Sequence, residues 1–168
     1  MRSFQLPDIA AVIFSMAALA SPALAQSGGA PASTQSIDAA VRVPIDQLFA
    51  GMKARDTTMI IDAFVSTGRL IDIRDRNGAT TVSGLAPADF ARSLLRAPVG
   101  DLVERIWDVE VKADGNVANA WAKYDFHIGE RFSHCGVDAF QLARTHAGWK
   151  IVQIMDTRQM TGCSVPPK

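Results

Sequence analysis

Apolar positions change period twice along this chain. Ile37, Val41, Ile45, Leu48, Phe49 and Met52 recur at helical spacing and predict a first helix over about 38–55. Pro44 falls inside it, so the helix either bends there or starts there. Asp56 is a good N-cap for a short second helix, Thr57 to Phe64, which turns Ile60, Ile61 and Phe64 inward. Arg69 to Arg74 then alternates as a strand does. Asn77-Gly78 is a strong hairpin signal, and Thr80 to Ser83 returns as the second strand. Pro87 opens a third helix, about 87–96, which Pro98 and Gly100 close. Four further strands follow, at about 102–112, 117–128, 133–145 and 149–158. The order is two helices, a hairpin, a helix and a long antiparallel meander, an α+β layout.

Turn lengths fix register, and register decides which side chains share a face. A two-residue turn at Asp114-Gly115 pairs Val111 with Ala118, Val109 with Ala120, Trp107 with Ala122 and Arg105 with Tyr124. A loop centred on Arg131 pairs Tyr124 with Asp138, Ala122 with Phe140 and Ala120 with Leu142. A last turn ending at Gly148 pairs Leu142 with Val152, Phe140 with Ile154 and Asp138 with Asp156, and sets Gly136 beside Arg158. One face is then apolar through Trp107, Val109, Val111, Phe140, Leu142, Val152 and Ile154. It turns polar at one end, where Arg105, Tyr124, His134, Asp138, Asp156 and Arg158 gather. Polar groups are costly on a buried face unless paired, so this end reads as a pocket mouth or as a structural ion-pair network. The opposite face, with Trp121, Val137, Ala139, Ala143, Trp149, Ile151 and Met155, is too apolar for full solvation. A homodimer contact, a helix or the tail would cover it.

Composition adds an export expectation. Arg2 precedes an apolar run from Ile9 to Ala20, Ser21-Pro22 breaks it, and Ala23-Leu-Ala25 supplies a cleavage site before Gln26. These are the three parts of a secretory signal peptide, residues 1–25. The run is shorter than the roughly 20 residues of a membrane span. Residues 26–36 read as a flexible leader, 37–163 as the domain and 164–168 as a tail. A periplasmic or secreted location follows, with no membrane association after cleavage. Lys+Arg equals Asp+Glu at 17 each, which argues against nucleic acid as a partner. Cys135 and Cys163, in an oxidising compartment, either pair as a disulfide or remain two thiols. No Cys/His spacing resembles a zinc site, no dinucleotide or phosphate-loop fingerprint occurs, and no cofactor is called for.

The element order resembles the NTF2-like superfamily, the cystatin-like α+β cone. Within it, Trp121-Ala-Lys-Tyr124-Asp-Phe126, His134-Cys-Gly136-Val-Asp138-Ala-Phe140, Gly148-Trp149-Lys-Ile151 and Asp156-Thr-Arg158 look like the bacterial group labelled lumazine-binding or SnoaL-like. The resemblance covers about Ile37 to Cys163. It implies three helices packed on a strongly curved, mostly antiparallel mixed sheet of about six strands, with a cone-shaped pocket between. It leaves function open among isomerases, cyclases, dehydratases and non-catalytic modules. The leading expectation is a small-molecule ligand, partly apolar or aromatic. Arg105, Trp107, Tyr124, His134, Asp138, Phe140, Asp156 and Arg158 would line its site, and Arg105 or Arg158 would hold an anionic group. As an enzyme the domain would use Asp138 or Asp156 as base and Tyr124 or His134 as donor, with Asp72 a looser candidate for the base. As an association domain it would be a dimer with a filled cone.

Overall fold

The computed structural model describes residues 36–97 and 101–167. The expected signal peptide, most of the expected leader, and Pro98 and Gly100 lie outside the described residues. No helix among the described residues is long and apolar enough to cross a membrane.

Helix α1 spans Ile37–Ala54 and runs through Pro44. The Ser36 hydroxyl caps it by accepting from the Ala39 amide at 3.2 Å, and Arg55 ends it in the left-handed conformation at φ 54°. Asp56 caps α2, Thr57–Asp62, by accepting from the Met59 amide at 2.9 Å. Phe64, expected in that helix, instead begins β1, Phe64–Arg76. Strand β2, Ala79–Leu85, returns through the Asn77-Gly78 turn, whose two residues have φ 55° and 78°. Pro87 starts α3, Pro87–Leu94, where its missing N–H costs nothing. The meander follows as β3 Leu102–Asp114, β4 Val117–Ile128, β5 Arg131–Thr145 and β6 Gly148–Arg158.

The six strands form one mixed sheet in the order β2-β1-β6-β5-β4-β3. Only β1 and β6 run parallel. Helix α1 packs across β3 and β6, and α3 sits against β1. Val41, Ile45, Leu48 and Met52 of α1 meet Phe140, Leu142, Ile151 and Ile154 of the sheet in the core. Ala118, Ala120 and Ala122 on β4 are nearly or fully buried, and their small size lets larger side chains interdigitate over them. Each fully buried large side chain contributes roughly 1.5–3 kcal/mol.

Three expected registers are corrected. The β3–β4 turn is Gly115-Asn116, so Val111 pairs with Ala120. A bulge then intervenes, since Trp107 pairs with Lys123 but Glu110 with Trp121, which leaves one extra residue on β3. Asp108 sits in it at φ 50°, a conformation Asp tolerates better than most. Beyond the bulge the face inverts. Ile106 pairs with Tyr124 and Glu104 with Phe126, while Arg105 pairs with Asp125 on the outer side. The β4–β5 turn is Gly129-Glu130, and an extra residue on β5, Ser133, follows it, so Tyr124 lies opposite Gly136 and Ala122 opposite Asp138, two residues from the expected pairing but with the same faces. On β6 the pairs Asp138–Asp156 and Phe140–Ile154 form as expected. A bulge at Val152 then pairs Leu142 with Ile151. Ile151 and Trp149 therefore belong to the core and not to the outer face.

Candidate functional site

A cavity of about 310 Å³ lies between α1, α3 and the inner sheet face. Leu48, Phe49 and Met52 line it from α1, Phe90 and Leu94 from α3, and Phe140 from β5. Phe49 and Phe140 meet edge to face, ring centres 6.3 Å apart. Leu70, Leu85, Phe126 and Ile154 add apolar surface, and the rest of the sheet wall is polar, as the pairing of strands explains. Asp138 on β5 lies opposite Asp156 on β6, which lies beside Asp72 on β1. Three aspartates thus form a row across three adjacent strands, an arrangement that costs energy in a purely structural sheet. Arg74 and Arg158 form the next row. Glu104, turned inward by the β3 bulge, completes the acidic wall.

These charges are unevenly compensated. Arg74 ion-pairs with Asp72, and Arg158 Nε lies 3.8 Å from the same carboxylate. The Glu104 and Asp138 carboxyls lie close enough to act on each other, and a hydrogen bond between them requires one of them to carry the proton. Burial pushes the Glu104 carboxyl up to about 7, the Asp138 contact pulls it down, and the Asp156 charge adds to the rise. Burial and the Glu104 charge raise Asp138 well above the usual carboxylate range. Burial, then the Asp72 charge, lift Asp156 to about 6. Desolvation and the nearby Arg158 and Arg74 lower His134 to about 4, so its ring is neutral at pH 7.

Of the residues expected at the mouth, the structure brings Tyr124, His134, Asp138, Phe140, Asp156 and Arg158 to this cavity, with Asp72. The Tyr124 hydroxyl donates to the Thr157 carbonyl at 2.8 Å, so its proton is already committed. Burial, then the Asp156, Glu104 and Asp138 charges, raise its pKa further. That geometry does not fit the expected role as donor to a substrate. Arg105 and Trp107 do not line the cavity, because the bulge turns their register positions outward. Arg105 instead makes a bidentate pair with Asp125, with Nε to Oδ1 at 2.7 Å, and lies 3.2 Å from His127. Burial pushes the Asp125 carboxyl up, but Arg105 and His127 outweigh it and hold the group below the usual range. Trp107 is buried without touching the site. Glu104 was absent from the sequence expectation. Its signal was a phase break, since apolar Leu102 and Ile106 are even-numbered whereas Val109 and Val111 are odd. Among the described residues no group of His, Cys, Asp and Glu is placed to hold a metal ion.

Cys135 and Cys163 are joined by a disulfide, Cα atoms 5.9 Å apart. With the paired backbones of Cys135 and Gln159, it holds the segment after β6 beside His134. The bond is compatible with an oxidising compartment.

A three-helix layer over a curved six-stranded mixed sheet, with a cavity between them, defines a cone-type α+β domain. Solved structures place it more closely. The chain is similar to the beta subunit of a candidate aromatic-ring-hydroxylating dioxygenase from Novosphingobium aromaticivorans, with a TM-score of 0.60 and 14% identity over 73% of this chain and 88% of that one. It is similar to an NTF2-like protein of unknown function from Shewanella baltica, at TM-score 0.55 and 17% identity over 73% and 93% of the two chains. It is also similar to a candidate NTF2-like dehydratase from Streptomyces avermitilis, at TM-score 0.54 and 14% identity over 72% and 94%. The chain has the NTF2-like, cystatin-like fold. No protein-family model and no curated protein matches it.

Proposed function

We propose that this domain binds a small, largely apolar molecule of one or two rings in the cone cavity. The observation that carries this reading is a cavity of about 310 Å³ with a wall of helical apolar side chains facing a wall of carboxyl groups. An anionic anchor fits less well than the sequence suggested. Arg105 is on the other face, and Arg74 and Arg158 both lean on Asp72. A filled-cone association domain is also less apt, given that open volume. The test is titration with 2-naphthol, a neutral fluorescent probe. Saturable one-to-one binding is expected, with loss of binding in Ser93→Phe, which extends a cavity-lining residue of α3 into the space. Binding that survives this block sinks the proposal.

A second reading, acid–base catalysis, is favoured by one observation. Three carboxyl groups in one cavity hold protons at higher pH than usual, as general acids and bases at neutral pH must. Asp156 then acts as base and the Glu104–Asp138 pair as proton donor. Asp138→Asn would abolish any turnover found, and full turnover in a folded variant would remove Asp138 from the mechanism.

Export and self-association complete the proposal. The disulfide and the signal-like residues 1–25 support export. Mature protein starting at Gln26 is the expected sequencing result, and retained Met1 contradicts it. On the outer face Trp121 and Met155 are 56% and 37% exposed, which supports a homodimer through this face. Sedimentation should find a dimer that Trp121→Glu splits, and a monomeric wild type would refute it.

A further inference from the structure

We infer that the cavity selects a ligand bearing an organic ammonium group, seated among Glu104, Asp138 and Asp156, over an anionic ligand of the same shape. This rests on the cavity-binding reading above and names the chemistry of its ligand. Four acids line the cavity against two arginines. Both arginines lie on the Asp72 side of the wall, Arg74 in an ion pair and Arg158 with Nε at 3.8 Å. Among the described residues, Glu104, Asp138 and Asp156 have no Lys, Arg or His within 4.0 Å. Arg158 acts on Glu104 and Asp156, and Arg74 on Asp156, only from beyond ion-pair distance, and the Arg158 Nε is itself buried without a hydrogen-bond partner, so with four acids to two arginines the acidic end keeps a net demand for positive charge or for protons.

Asp138 makes that demand specific. It is 2% exposed, and its Oδ2 accepts no hydrogen bond from a fixed donor of the protein. A hydrogen bond between its carboxyl and that of Glu104 can form only while one of them holds a proton. An ammonium group supplies several N–H donors and a positive charge at that point, and replaces the borrowed proton. A carboxylate ligand supplies neither, and adds repulsion in a place with little water. Phe49 and Phe90 on the helices, with Phe140 two residues from Asp138 on β5, suit a flat apolar body on that ammonium better than a bare metal ion.

The test uses the full mature protein and calorimetry at about pH 7.5 with three probes of one shape. These are 2-naphthylmethylammonium, neutral 2-naphthol and anionic 2-naphthoate. The ammonium probe should bind at least about tenfold more tightly than the naphthoate, with naphthol between them. Asp138→Asn and, separately, Glu104→Gln should each shrink the ammonium-to-naphthol ratio at least about fivefold. Naphthol binding without preference for the ammonium, or naphthoate binding as tightly, overturns this inference and leaves the cavity reading standing. Failure of all three probes overturns both.

Discussion

Replacing Glu104 with Gln should stabilise the protein, and more so as pH rises. Glu104 is held at about 7 instead of 4.5, mainly by burial. A carboxyl whose pKa is raised by folding binds more protons in the native state than in the unfolded one. Its contribution is therefore complete below about 4.5 and is lost as pH climbs to about 7. At about 1.4 kcal/mol per tenfold change in proton affinity, the full effect is about 3 kcal/mol. Glu104 keeps partial solvent exposure, which screens the group, so roughly 1–3 kcal/mol is the working range. His134 acts with the opposite sign. Its pKa is lowered from 6.5 to about 4, so its neutral form adds stability that is lost as pH falls through that window. Wild-type stability alone would mix the two effects. The difference between Glu104→Gln and wild type cancels His134 and isolates the Glu104–Asp138 pair. Urea unfolding followed by tryptophan fluorescence, at several pH values from 5 to 8, measures that difference through the buried Trp107 and Trp149. It should be small at pH 5 and reach the stated range by pH 8. A difference that is flat or falls with pH would refute the shared-proton account of these two carboxyls.

Other changes probe the frame that holds the site. A Cβ on Gly136 would lie 1.9 Å from the Thr157 carbonyl oxygen, so Gly136→Ala should cost about 3 kcal/mol by thermal unfolding, and a loss under 1 kcal/mol would contradict the packing. Reducing the Cys135–Cys163 bond, which spans 28 residues, should lower unfolding free energy by roughly 3.5 kcal/mol in the chain-entropy account. An unchanged melting temperature in reductant, with thiols confirmed free, would count against it. Tyr124→Phe removes the donor to the Thr157 carbonyl and should cost about 1 kcal/mol in urea unfolding. Stability unchanged or raised would show that bond to be unimportant.

What the sequence conveyed, and what it did not, divides along the range of the interactions. Local signals worked, such as Asn77-Gly78 for the hairpin, Asp56 for a cap and Pro87 for a helix start. The opposition of Asp138 and Asp156 came out as expected by cancellation: the turn is one residue shorter than the three-residue loop expected, and the bulge at Val152 restores the same pairing. The third aspartate of the row was not readable. Asp72 reaches Asp156 through a parallel pairing between β1 and β6, strands separated by most of the domain, and no turn encodes that register. Bulges defeated the rest. Ile151 and Val152 are adjacent, apolar and β-branched, so neither alternation nor propensity says which of them faces inward. At Asp108 the failure has functional weight. A strict two-residue period carried from Val111 back to Trp107 delivers Arg105 to the cavity, whereas the extra residue delivers Glu104. One residue in the left-handed conformation thus exchanges a guanidinium for a carboxyl in the wall. The charge preference of the whole site turns on it, because with Arg105 inside, the row of acids would have been neutralised by the protein itself.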